Sequence, residues 1–230
     1  MSKIGLVIPW REQPSRIKPL QAVLDWYQTN LPDIEIFYSD RPGDRWNAAA
    51  SRNDGVKRAQ EAQCDVVILN DADTLPEIEP LLEAIEQCKT DGLVHSPYDK
   101  CKYIDIEMSE LYYSGRDIKL LKHTLFTPAT GGIWVCTPET WWSLYGMDEK
   151  FQQWGPEDGA FDISHRIIKG VPLVSHEGYI YCLGHTLQIH DEGFTPSHQL
   201  NIFLWNQYLA AKTPERIKWI VNEKDIREFY

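Results

Sequence analysis

The stretch that decides the fold runs from Val66 to Asp73 and reads Val-Val-Ile-Leu-Asn-Asp-Ala-Asp. Its four consecutive apolar residues predict a strand that is buried on both faces, as in a parallel sheet. Asp71 and Asp73 follow at the carboxyl end of this strand, which is where open α/β sheets bind ligands. Two carboxylates there can hold a hard divalent cation through their oxygens. A plain strand-to-helix turn with an Asp cap explains the same triplet.

The residues before and after this stretch repeat the same pattern of a short apolar run followed by an amphipathic segment. The order β-α-β-α-β-α predicts a parallel sheet with crossover helices. The predicted strands are Ile4–Ile8, Ile34–Tyr38 and Val66–Leu69, and the predicted helices begin at Pro14, Asn47 and Pro76.

The second half of the sequence is less regular. Strands are predicted at 92–95, 131–136, 171–175 and 179–183, and helices after Pro138, within 155–168 and from Pro196 onward. Residues 97–128 show no clear period and are interpreted as a loop with a short helix. No linker or internal repeat interrupts the chain, so we expect one domain over residues 1–230.

Composition narrows the class of protein. The chain has 230 residues, of which 43% are hydrophobic and 25% charged, and this is ordinary for a globular domain. With 23 basic and 34 acidic residues, the net charge of −11 disfavours a general nucleic-acid coat. The five cysteines include no Cys-x-x-Cys pair. They therefore predict buried free thiols in a reducing compartment rather than a disulfide framework or a structural zinc site.

A second signal is the run Trp154-Gly-Pro-Glu-Asp158. The Gly-Pro pair predicts a tight turn, which places Glu157 and Asp158 in the first turn of a helix. The helix dipole favours ionised carboxylates there, and an ionised carboxylate in a pocket can act as a general base on a hydroxyl. The alternative is an acidic helix start without a catalytic role.

A third signal is Gly184-His-Thr-Leu-Gln-Ile-His190, which follows a predicted strand. A neutral imidazole from this segment could complete the coordination of a cation held by Asp73. Either His185 or His190 could equally be a structural residue.

Taken in this order, the three signals resemble the GT-A glycosyltransferases, above all the inverting β-1,4-galactosyltransferase-like group and its family 2 relatives. The likeness extends over about residues 4–190. Three further segments resemble that group: Val7–Arg11, Trp46–Gly55 and Thr130–Trp134. The resemblance implies an α/β, GT-A (Rossmann-like) fold with a mostly parallel sheet flanked by helices. It divides the single domain into a nucleotide-binding half (1–95), an acceptor and catalytic half (96–195) and C-terminal helices (196–230).

The resemblance also implies roles for individual residues. Asp158 would be the catalytic base, and Glu157 would hydrogen-bond sugar hydroxyls. The metal ligands would be Asp73 and His190, with His185 as the less favoured alternative. The acceptor would lie against Trp154 and Gly155. The nucleotide sugar would contact Pro9, Trp10, Arg11, Asp40, Arg52, Asp71, Ala72, Asp73, Gly132 and Trp134.

The implied activity is a metal-dependent, inverting transfer of a hexose from a nucleotide sugar to an acceptor hydroxyl, with UDP as the expected nucleotide and Mn²⁺ or Mg²⁺ as the metal. The acceptor could be a glycan, a lipid-linked glycan, a protein or a modified nucleobase. Two departures from the group are Ala48, where it has a basic residue, and a shortened acidic run after Trp154.

Two other functions remain as alternatives. One is a non-catalytic nucleotide-sugar or glycan-binding module. The other is a sugar-phosphate nucleotidyltransferase, which the Pro9–Pro14 segment disfavours because it lacks a Gly-rich phosphate loop. The apolar run at the amino terminus is too short for a signal peptide or a membrane span. We therefore expect a cytoplasmic protein. The resemblance adds that the membrane anchor and stem of the group's Golgi enzymes are missing, which implies an enzyme of bacterial or viral type.

Overall fold

The computed structural model describes residues 2–40, 46–127, 130–153, 155–186 and 196–223. Its strands are β1 (Ile4–Pro9), β2 (Glu35–Ser39), β3 (Val66–Asn70), β4 (Thr74–Pro76), β5 (His95–Ser96), β6 (Lys100–Tyr103), β7 (Thr124–Phe126), β8 (Ile133–Cys136), β9 (Val174–Ser175) and β10 (Tyr179–Cys182). Its α-helices are α1 (Ile17–Asn30), α2 (Ala48–Glu61), α3 (Ile78–Asp91), α4 (Ile106–Tyr113), α5 (Pro138–Ser143), α6 (Glu157–Lys169), α7 (Pro196–Ala210) and α8 (Pro214–Asn222). Short 3₁₀ turns cover Pro14–Arg16 and Ile118–Leu120.

The main sheet has six strands in the order β2-β1-β3-β8-β5-β9. Strands β2, β1 and β3 are parallel, as the sequence predicts, whereas β8 runs antiparallel to both of its neighbours. Alternate residues of β1 point to opposite faces: Leu6 and Ile8 pack in one core cluster and Val7 in the other. Burial on both faces explains why the inner strands β1 and β3 are nearly continuous apolar runs.

A second sheet of four strands, in the order β4-β10-β6-β7, lies next to the first. Of its four strands, the sequence predicts only β10, within the strand expected at 179–183. Residues 97–128 contain β6, α4 and β7, and Pro76 ends strand β4 rather than starting α3. Strands of three or four residues are too short to show a period of two, so no hydrophobic pattern marks them.

The C-terminal helices α7 and α8 pack against α6 through a third apolar cluster, which includes Leu204, Ile217 and Ile220. Within the described ranges, no helix combines the length and the apolar character that crossing a membrane requires.

Candidate active site

The loop after β3 connects the two sheets, and the buried side chain of Asn70 fixes its shape. The Asn70 amide donates to the backbone oxygens of Asp71 (2.6 Å) and Thr74 (2.9 Å) and accepts from the hydroxyl of Tyr27 (2.7 Å). Two other loops converge here: Asp71 N–H donates to Gly132 O, and Leu183 N–H donates to Asp73 O, both at 2.8 Å. The Asp-Ala-Asp triplet therefore sits where three loops meet.

Asp73 lies within reach of two basic side chains. Its Oδ2 is 2.9 Å from Nε2 of His185 and 4.0 Å from the guanidinium of Arg16. Burial by itself would raise the pKa of Asp73. The contact with His185 and the charge of Arg16 outweigh burial, so the pKa falls below its ordinary value. Asp73 is therefore a nearly buried carboxylate that stays ionised beside an imidazole.

Arg52 joins the two acidic segments of the site. It extends from α2, is 5% exposed, and donates at 2.8 Å from one terminal nitrogen to Asp71 and from the other to Asp158. Burial alone would lower the pKa of Arg52, but the charges of Asp158, Asp71 and Glu157 raise it. One buried cation thus holds together carboxylates that are 87 positions apart in the sequence.

Glu157 and Asp158 open helix α6, as the sequence predicts. The expectation that the helix dipole keeps both ionised is wrong for Glu157: burial, followed by the charge of Asp158, raises its pKa to about 8. Burial also raises the pKa of Asp158, although Arg52 opposes that rise. Within the described part of the chain, Oε2 of Glu157 is buried without a hydrogen-bond partner.

Two glycines allow the backbone to pass close to these carboxylates. Gly131 has φ = +88°, and a Cβ placed on it would lie 2.0 Å from Oδ2 of Asp158. Gly132 has φ = +87° and supplies the carbonyl that binds Asp71 N–H. The glycines therefore make room for Asp158 and fix the position of Asp71.

The residues expected to hold the nucleoside lie at the carboxyl ends of β1 and β2. Pro9 ends β1, and the N–H of Trp10 donates to the carbonyl of Ser39 at 3.0 Å. Arg11 contacts both carboxylate oxygens of Asp40, at 3.0 and 3.1 Å, and its guanidinium lies 5.6 Å from the ring of Trp46. The structure thus brings Arg11 and Asp40 together at the predicted edge.

Trp134 does not lie on a pocket wall. It is 1% exposed, packs on Phe161, and lies beneath Arg52, whose guanidinium is 5.3 Å from its ring. The expectation that Trp134 contacts the donor is therefore corrected. As part of an inner strand buried on both faces, it supports Arg52 from below. Ala72 is likewise buried.

Trp154 and His190 lie outside the described residues. Gly155 is described and packs closely against Asn201 of α7. Of the two histidines considered for the metal, His185 is the one seen beside Asp73. The residues described include no cluster of three or more His, Cys, Asp or Glu side chains able to hold a metal ion.

Two residues of the site were not predicted from the sequence. Asn70 could have been suspected, because a polar residue that ends an apolar strand must find buried partners. Arg16 carried no signal, since only the three-dimensional structure brings the turn before α1 to Asp73.

Several solved structures have folds similar to that of this chain. The chain is similar to the catalytic domain of Drosophila β1,4-galactosyltransferase 7 in complex with xylobiose (19% identity, TM-score 0.50, covering 76% of this chain and 65% of that one). It is also similar to a mutant of that enzyme in complex with manganese, UDP-Gal and xylobiose (17%, 0.52, 77% and 68%). A third similar structure is GalNAc-T7 with UDP, GalNAc and Mn²⁺ (15%, 0.50, 90% and 50%).

The chain spans between half and about two thirds of the length of these structures. No protein-family model and no curated protein sequence matches it. At sequence identities below 20%, the structural similarity is evidence for the fold alone. It confirms the fold class that the motifs predict. The chain has the GT-A fold of the glycosyltransferases.

Proposed function

We propose that the protein is a metal-dependent glycosyltransferase that moves a hexose from a UDP-linked donor to an acceptor hydroxyl with inversion at the anomeric carbon. The observation that carries this proposal is the pairing of Asp71 and Asp158 through Arg52 at the carboxyl edge of a GT-A sheet, with Asp73 on the same loop as Asp71 and beside His185. The similar structures that contain UDP or UDP-Gal together with manganese support the choice of donor and metal.

The residues fit a divalent cation. Asp73 offers a carboxylate held ionised, and His185 offers an imidazole 2.9 Å from it. An oxygen and a nitrogen donor suit Mn²⁺, and metals at phosphate-transfer sites commonly take their remaining ligands from substrate phosphates and water. When bound, the metal would supply Lewis-acid stabilisation of the leaving diphosphate.

The chain's own residues account for the proton and the geometry. Asp158 accepts the proton of the acceptor hydroxyl. The oxygen then forms a bond to the anomeric carbon, on the face opposite the bond to the diphosphate, which breaks. Glu157 hydrogen-bonds the sugar hydroxyls. Arg52 fixes the positions of Asp158 and Asp71 relative to each other. It is a positioning residue because both of its terminal nitrogens bind carboxylates.

The pH dependence of kcat/KM should be bell-shaped. Activity rises as Asp158 loses its proton, above the ordinary pKa of an aspartate. It falls above about pH 8, where Glu157 becomes ionised and adds a further negative charge beside Asp71 and Asp158. Glu157→Gln should remove the alkaline limb and keep the acid one. Asp162→Asn, on the same helix, is the control and should keep both limbs. An alkaline limb that persists in Glu157→Gln would contradict the assignment.

A screen of nucleotide sugars tests the proposed function directly. With Mn²⁺, we expect slow hydrolysis of one donor in the absence of acceptor, and EDTA should abolish both hydrolysis and tight donor binding measured by calorimetry. Donor binding that is unchanged in EDTA would rule out the metal-dependent mechanism. Binding without any turnover would support the non-catalytic binding module instead.

A further inference from the structure

A pair of thiols lies in the second sheet, beside the loop that carries Asp73. Cys101 in β6 is opposite Ile180 of β10, and Cys182 follows Ile180 by two positions. Side chains two positions apart on a strand share a face, so both thiols point to the same side of the sheet. Their sulfur atoms are 3.2 Å apart. Cys101 is 8% exposed, whereas Cys182 is partly exposed.

Strand β10 lies between β4 and β6, so Cys182 has a neighbour on each side. On the β4 side, its sulfur is 3.9 Å from the hydroxyl of Thr74, and that hydroxyl donates to Oδ1 of Asp73 at 3.2 Å. The next residue, Leu183, donates its N–H to Asp73 O. A movement of Cys182 toward β6 is therefore a movement away from the Asp73 loop.

We propose that Cys101 and Cys182 form an oxidant-sensitive dithiol site whose conversion to a disulfide weakens cation binding at Asp73. The bond requires the sulfurs to approach to about 2.05 Å, a shift of about 1 Å toward β6. The part that concerns the cation rests on the proposed function, whereas formation of the disulfide does not.

The chemistry is a two-electron oxidation by a peroxide. The thiolate of Cys101 attacks one oxygen of hydrogen peroxide, which gives a sulfenic acid and releases one water molecule after protonation. The thiol of Cys182 then attacks that sulfur and displaces the second water. Two thiols and one peroxide thus give one disulfide and two waters. The contact with Cys182 lowers the pKa of Cys101, which favours Cys101 as the first nucleophile.

The test counts thiols in the folded protein before and after treatment with hydrogen peroxide, by maleimide labelling and mass spectrometry after denaturation. The chain has five cysteines. We expect two thiols to be lost, a peptide linking Cys101 to Cys182, and full recovery with dithiothreitol. Cys101→Ser and Cys182→Ser should each abolish the linked peptide. Cys64→Ser, which changes a buried thiol in the other core cluster, should retain it.

A second arm uses Mn²⁺ alone as the probe, with the free ion measured by electron paramagnetic resonance. Oxidation should weaken Mn²⁺ binding at least tenfold in the wild type and leave Mn²⁺ binding by Cys101→Ser unchanged.

Five remaining thiols, or a disulfide between other cysteines, would overturn the dithiol site. A Cys101–Cys182 disulfide with unaltered Mn²⁺ binding would overturn the coupling. Reduced protein that binds no Mn²⁺ would refute the proposed metal site and the coupling, while the thiol count still decides the disulfide. Melting curves verify that the Ser variants are folded before they are compared with the wild type. Where a Ser variant does not fold, the corresponding Ala variant takes its place.

Discussion

Asp158→Asn is expected to reduce kcat by a factor of about 10²–10⁴, which is the usual contribution of a general base, while donor affinity stays within about twofold. The amide has the shape of the carboxylate, and its oxygen can still accept from Arg52. It has no basicity at neutral pH, so the acceptor hydroxyl keeps its proton. The measurements are steady-state kinetics with acceptor and calorimetric titration of the donor.

The matched control is Asp162→Asn, one turn further along α6, where the carboxylate pairs with the exposed side chain of Arg166. This variant should keep full activity. If Asp158→Asn turns over at the wild-type rate with acceptor present, then Glu157 or a water molecule is the base. A loss of donor binding in that variant would instead assign Asp158 to the donor site.

Asp73→Ala should eliminate metal binding, donor binding and turnover together, with donor affinity falling at least tenfold. The carboxylate is the ionised ligand of the proposed metal site, and without it a diphosphate faces Asp71 and Asp158 with less compensating charge. The joint loss distinguishes this variant from Asp158→Asn, in which binding and turnover separate. The measurements are Mn²⁺ and donor titrations beside kcat.

The loop should remain folded in Asp73→Ala, because the backbone of residue 73 still accepts from Leu183 and Asn70 still binds the neighbouring carbonyls. A melting curve verifies this, and Asp99→Ala, at a carboxylate that immediately precedes β6 and pairs with Lys100, is the control. Retention of Mn²⁺ and donor binding by folded Asp73→Ala would exclude Asp73 as the ligand.

The first half of the fold was predictable because β1 and β3 are buried on both faces, and their apolar runs are long enough to be recognised in the sequence. The carboxyl-edge position of Asp71 and Asp73 followed from the same argument. The second sheet was not predictable, because strands such as β7 are short and exposed and their pairing depends on residues distant in sequence. Tertiary contacts, rather than local propensity, form these strands.

At the site, the sequence predicted which acidic residues take part, but it did not predict which of them are ionised. The position of Glu157 at a helix start predicted an ionised carboxylate. In the structure its burial raises the pKa, and this effect of desolvation is larger than that of the helix dipole. The contacts of Arg52 could not be predicted either. Its partners Asp71 and Asp158 lie on separate segments, and no spacing in the sequence reveals that one guanidinium touches both.

The contact between Gly131 and Asp158 has a consequence for anyone who seeks to redirect this protein to new acceptors by directed evolution. The Gly-Gly segment is an obvious target for randomisation, but any side chain at 131 would displace the proposed base before it met a substrate. At 132 the first obstacle is the flexible end of Ile180, 3.1 Å away. The backbone is a second obstacle at 132, because φ = +87° strains any residue that carries a Cβ. A library should therefore keep both glycines and vary position 180 instead.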